Sequence, residues 1–235
     1  LLLMKRILQF LFAIITLFAF KQASAQTNFV SGYIVKLNGD TVRGQLDDRN
    51  WNINPAKINF KTDTEQQYTV NDLLGFGSEN DTYKRFSVSM TLYKKNIADQ
   101  LPNEQPVIVN DTIVFLRLLV KSDWDLYQLT DANDISHFYM VQHEKAHELI
   151  YKKQLVERNE STYVAEDNSF RAQLAGALQP EKSLENKISS ARYTAVDMKN
   201  IFEKYNLSKG ITTKSVSKDK FSYDFDVIAG MSYAS

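Results

Sequence analysis

The sequence predicts a mainly β protein of the α+β class. It reads as an antiparallel β meander or sandwich-like domain, followed by three short helices and one terminal barrel-type strand. Three observations predict this. From Phe29 to about Leu155, short apolar or alternating runs are separated by turn-forming clusters, the grammar of successive strands. From Phe170 to Tyr205, apolar residues recur three and four apart, the helical period. At 221–227, Phe221, Tyr223, Phe225 and Val227 alternate with Ser222, Asp224 and Asp226, before Ala229, Gly230 and Tyr233. Apolar on one side and polar on the other is the wall pattern of an outer-membrane barrel.

In chain order, Gly32–Leu37 and Thr41–Leu46 form a hairpin across Asn38-Gly39-Asp40, where Asn-Gly would supply the positive φ angles of a type I′ turn. Lys57–Lys61 and Gln67–Val70 read as a further pair of strands. Tyr83–Tyr93 alternates through Phe86, Val88, Met90 and Leu92 and reads as half-buried. Leu101–Pro106, with two prolines, is a loop. Thr112–Val120 is almost continuously apolar and reads as a central strand buried on both faces. Short turns at 121–123, 130–134 and 143–146 then separate strands at 124–129, 135–142 and 147–155, which favours an antiparallel meander.

Phe170, Leu174 and Leu178 stand four apart, as do Leu184 and Ile188. Ala195, Met198, Phe202 and Tyr205 continue the helical spacing. Pro180 suits a first helical position, with Glu181 at the positive end of the dipole, and Thr194 with Asp197 resembles a capping box. Residues 208–220 are lysine-bearing and poor in apolar side chains, so they read as a linker. The organisation expected is therefore a signal peptide at 1–25, a β-rich domain at 26–157, a helical cap at 158–207, the linker at 208–220 and a barrel strand at 221–235.

Lys5 and Arg6, the apolar run Ile7–Phe20 and the small residues Ala23-Ser24-Ala25 read as a signal peptide with cleavage expected before Gln26, a retained membrane anchor being the alternative. Losing 1–25 removes Lys5, Arg6 and Lys21, leaving 25 basic against 28 acidic residues, a net charge of −3 over 210 residues. That balance disfavours nucleic-acid binding, which needs a basic excess. The chain has no cysteine, which excludes disulfides, thiolate metal sites and an N-terminal lipidated Cys. A barrel closes only when every edge is paired, so one strand at 221–235 implies that the remaining strands lie beyond it.

The segment G-Y-I-V-K-L-N-G-D-T-V-R-G-Q-L-D-D-R-N-W-N-I-N-P-A-K-I-N-F, Gly32–Phe60, resembles the opening of an uncharacterised family of secreted Bacteroidota proteins. Leu116–Leu129, Tyr163–Leu174 and Ile201–Asn206 are similar to its later landmarks. The resemblance implies a signal peptide, a β-rich module, short helices and a porin-like outer-membrane barrel, and it carries no catalytic residues to transfer. This chain departs from that pattern by stopping where the barrel would begin.

One motif carries potential chemistry. His143-Glu144-Lys145-Ala146-His147 satisfies H-E-x-x-H, which on a helix sets two imidazoles on one face to bind Zn²⁺ while the glutamate activates water. Against it, the flanks alternate as strands, Lys145 and Glu148 put charges where zincin helices are buried, and no third ligand stands in a zincin context. The expectation is a solvated hairpin turn, no catalytic residues and no cofactor. His143 and His147 stay as metal candidates, with a zinc peptidase as the alternative. Trp51 and Trp124 are candidates for stacking on a sugar or peptide, the other reading being packing against the sheet. Gly75-Phe76-Gly77 is too short for a phosphate loop, and Asp47-Asp48 and Asp123/Asp125 lack the ligand density of a Ca²⁺ site.

The reading that results is an exported envelope protein, a periplasmic binding or scaffolding module attached to an outer-membrane barrel. Its expected partners are the membrane through that barrel, and envelope proteins or peptidoglycan. A soluble secreted binding module without a barrel is the alternative.

Overall fold

The computed structural model describes residues 28–49 and 51–212. Among the described residues the chain is mainly β with three α-helices, as the sequence predicts. Strands β1 (Phe29–Lys36) and β2 (Thr41–Asp47) form the first hairpin. Its turn differs from the expected type I′. Only Gly39 has positive φ, at 89°, and the Gly39 amide donates to the Lys36 carbonyl. Three residues therefore close the loop, a type I turn followed by a left-handed glycine.

Next come β3 (Lys57–Lys61), β4 (Glu65–Thr69), β5 (Leu73–Ser78), β6 (Thr82–Leu92), β7 (Val107–Val120), β8 (Asp125–Thr130), β9 (Ser136–Gln142) and β10 (Lys145–Leu149). All ten join one antiparallel sheet in the order β4-β3-β2-β1-β5-β6-β7-β8-β9-β10. It comprises two meanders stitched along β1 and β5. Gly75-Phe76-Gly77 sits in β5, where a Cβ on Gly75 would lie 2.6 Å from the Tyr83 carbonyl. Its glycines let β6 approach.

The sheet curls, so that β10 returns beside β6. Inside the curl, Phe86, Val88, Leu116, Leu118, Tyr127, Leu129, Tyr139 and Val141 form one core. Outside it, Leu119, Leu126, Phe138, Met140 and Leu149 meet the helices. Strands β8 and β9 are thus buried on both faces, because the curl closes over one and the helices cover the other. A third core packs Ile34, Leu46, Ile58, Phe60, Phe76 and Phe115 at the β1–β5 end.

Three expectations shift. β7 begins five residues earlier than read, and only its Phe115–Val120 end is buried apart from Arg117; Val107 and Ile108 are more than 60 % exposed. In β6 a bulge between Val88 and Met90 breaks the alternation, so Thr91 rather than Leu92 turns inward. The expected strand at 147–155 is two strands, β10 and then β11 (Lys152–Arg158).

β11 pairs with β12 (Ser161–Asp167) in a separate two-stranded ribbon turning at Asn159 and Glu160, both with positive φ. The boundary at 157 is therefore corrected, since residues 161–167 are strand and helix begins at Ser169. Charged and polar side chains around Tyr163 and Val164 obscure the apolar pair that marks this strand.

Helices α1 (Ser169–Leu178), α2 (Lys182–Ser189) and α3 (Ala195–Lys209) bury Phe170, Leu174, Leu178, Leu184, Ile188, Met198, Phe202 and Tyr205, the spacing the sequence shows. Pro180 precedes the α2 N-cap, Glu181, instead of opening the helix. Thr194 does cap α3, accepting from the Asp197 amide at 3.2 Å. Gly210, at φ 68°, ends α3 with its amide on the Asn206 and Leu207 carbonyls, so residues 208–209 are helix rather than linker. The signal peptide and the strand at 221–235 lie outside the described residues.

Candidate functional site

Trp124 links the tight Lys121–Asp123 turn to the start of β8. Asp125 builds that turn: it accepts from the Ser122 amide at 2.9 Å and pairs with Lys121. Asn206 of α3 locks the turn to the helix, donating to the Lys121 carbonyl at 2.8 Å and accepting from the Ser122 hydroxyl at 2.6 Å. The Gln142 amide and the Tyr205 hydroxyl also reach Asp123, at 3.4 and 3.5 Å.

Beside this turn stands the β9–β10 hairpin, and between them opens a cleft of about 500 Å³. Trp124, Tyr127, Lys84, Gln142, His143 and Glu144 lie on its walls. Lys84 and Glu144 meet across it at 2.7 Å, and the Lys84 ammonium also stands 5.5 Å from the Phe86 ring centroid. The indole of Trp124 is half-buried and meets the His147 ring edge-on at 6.1 Å. Burial pushes the Tyr127 and Tyr205 hydroxyls above their ordinary range, with the neighbouring Asp125 and Asp123 carboxylates adding to the shift, so both stay neutral donors.

The H-E-x-x-H residues form this hairpin and not a helix. His143 and Glu144, at φ 49° and 62°, are its two turn residues, and His147 sits on β10 opposite Met140. The helical face that H-E-x-x-H needs to set both imidazoles side by side is therefore absent. Among the described residues no group of three or more His, Cys, Asp or Glu side chains is arranged to hold a metal ion. His147 instead props the edge of Trp124.

Trp51 lies elsewhere. It packs edge-on against Phe76 and Tyr83, each at 5.7 Å, and roofs the β1–β5 core. Asn54 anchors its loop: the side chain donates to the Phe115 and Gln128 carbonyls at 2.8 and 3.0 Å and accepts from the Thr130 amide at 2.9 Å. Asp47 is tied to Arg49 at 2.7 Å. The structure thus brings Trp124 and His143 to one cleft, while Trp51, packed on the β1–β5 core, lines separate clefts beside Asn54.

Sequence reading missed a buried polar cluster inside the curl. Glu148 accepts from the Thr91 amide and hydroxyl, both at 2.9 Å, while its other oxygen meets His137 Nδ1 at 2.8 Å. Asp131 stands 3.5 Å from His137 Nε2 and caps its own turn through the Asn133 and Ile135 amides. The three side chains are under 10 % exposed. Glu148 ties β10 to β6 where the two strands lack a backbone ladder. The only signal in the sequence was a charged residue at an inward position of a strand.

No family model, curated protein or solved structure matches this chain.

Proposed function

We propose that the chain is an exported envelope protein whose described domain is a periplasmic binding or scaffolding module attached to an outer-membrane barrel, with the Trp124 cleft as its ligand-facing site. The observation that carries the proposal is where α3 ends. Its last turns hold the Lys121–Asp123 turn that walls the cleft, so the cleft sits beside the C-terminal end of the described domain. The Lys5–Ala25 pattern supports export, and the alternation at 221–227 supports a barrel strand following directly.

An indole beside amide, ammonium and carboxylate groups suits a ligand with one apolar face and several hydroxyl or amide groups, a saccharide or a peptide of the envelope. Fractionation of the full-length gene product tests the address. Recovery in the outer membrane is expected, and release wholly into the soluble periplasm would overturn the barrel assignment. Co-sedimentation with isolated peptidoglycan sacculi tests the cleft: Trp124→Ala should reduce it at least tenfold, and unchanged binding would remove the cleft from the reading.

A second reading, a soluble module without a barrel, draws on the open outer edge of β4, which has hydrogen-bond groups for one further strand. A stop codon directly after Ser235 would favour it.

A further inference from the structure

The β11–β12 ribbon is asymmetric in how its two edges are treated. On the β11 side, the loop at 100–103 stands in for a third strand. The Leu155 amide donates to the Gln100 side chain at 3.2 Å, the Leu155 carbonyl accepts from the Asn103 amide at 2.8 Å, and the Lys153 carbonyl and Glu157 amide are bonded likewise. Those contacts show that Lys153, Leu155 and Glu157 point their backbone groups away from β12. In an antiparallel pair their partners must do the same on the far side. The partners are Glu166, Val164 and Thr162. Among the described residues none bonds to their backbone groups, and Tyr163 and Val164 are each 56 % exposed. An isolated two-stranded ribbon is marginal in water, and a bare apolar edge is a template for pairing.

We propose that β12 pairs with β12 of a second copy of this chain, antiparallel about a two-fold axis at Val164, making a four-stranded β11-β12-β12-β11 sheet. Three features of the strand select a second copy over another occupant. First, the outward backbone groups fall at 162, 164 and 166, symmetric about Val164. The two-fold register therefore pairs Val164 with Val164 and Thr162 with Glu166 twice, satisfying all six amides and all six carbonyls. Second, no like charges meet: Glu166 faces Thr162 and Asp167 faces Ser161. Third, the side chains fit. Tyr163 faces the small Ala165 on one surface, while Leu155 and Val164 of both copies form one continuous apolar row on the other. The pairing lies at the small end of specific interfaces, so it is a reversible contact favoured at high local concentration, as for copies confined to one membrane.

The absence of native cysteine makes the test direct. In the full-length chain, Val164→Cys places two thiols on residues about 5.5 Å apart at Cα, within disulfide reach, whereas Ser161→Cys places them about 20 Å apart. Mild oxidation followed by non-reducing electrophoresis should give at least a tenfold excess of disulfide dimer for Val164→Cys over Ser161→Cys. Adding Tyr163→Lys to Val164→Cys should abolish that excess. Equal dimer yields at the two positions, or none at either, would overturn the proposal. All three substitutions are on the exposed ribbon, and circular dichroism of each variant checks that the fold is retained.

Discussion

Glu148→Ala offers the sharpest perturbation of this fold. Its carboxylate makes three contacts of 2.8–2.9 Å, two to Thr91 on β6 and one to His137 on β9, and Thr91 and His137 are both under 10 % exposed. Alanine leaves the Thr91 amide, the Thr91 hydroxyl and the imidazole without their acceptor in a site too closed for bulk water. It also leaves Asp131 as the sole carboxylate beside the ring. Breaking a buried charged contact by removing one partner costs about 3–5 kcal/mol, which for a chain of this size lowers Tm by about 6–20 °C.

Urea and thermal unfolding followed by circular dichroism measure the loss, and exchange of the Thr91 amide reports the site locally. Glu148→Gln keeps an oxygen for Thr91 but turns an amide donor toward His137, so it should lose about 1–2 kcal/mol. A loss below about 1 kcal/mol for the alanine variant, the scale of a surface ion pair, would refute the claim that this carboxylate fastens β10 to β6.

Other outcomes follow from the same geometry. Asn54→Ala removes three bonds that hold the Trp51 loop across β7 and β8 and leaves the Thr130 amide unpaired, so a loss of about 2–3 kcal/mol in urea unfolding is expected; a loss below about 0.5 kcal/mol would contradict the anchoring role. His143→Asn combined with Glu144→Gly gives the β9–β10 turn residues that tolerate positive φ, and Tm should rise by an amount equivalent to about 1 kcal/mol; destabilisation would argue against positive φ at both turn positions. Asp197 is held below the usual carboxylate range by the Arg192 backbone amide and then its guanidinium. Its folded pKa is depressed, so its stabilisation is present above about pH 3.9 and is lost as pH falls through the lower folded value. Acid unfolding of Asp197→Asn should therefore lack that part of the pH dependence, and an unchanged acid limb would sink the assignment.

The sequence by itself determined the secondary structure wherever one face of an element meets water, because only there does burial print a period on the residues. The α1–α3 spacing was legible for that reason, while the Thr194 cap and the turns at 121–123 and 130–134, which set out the antiparallel meander, were legible from their cap- and turn-forming residues. The Lys57–Lys61 strand was legible too, from its short alternating run. Tertiary structure decided what depends on contacts distant in sequence. It made β8 and β9 buried on both sides, bulged β6 so that Thr91 faces Glu148 fifty-seven residues on, and set β5 beside β1 across three intervening strands. It also set Trp51 and Trp124 against different cores, each half-buried beside its own cleft, since an indole reads the same in sequence whichever core it lies on. Period two says that a strand has two sides; only the curl of the sheet says what lies against each of them.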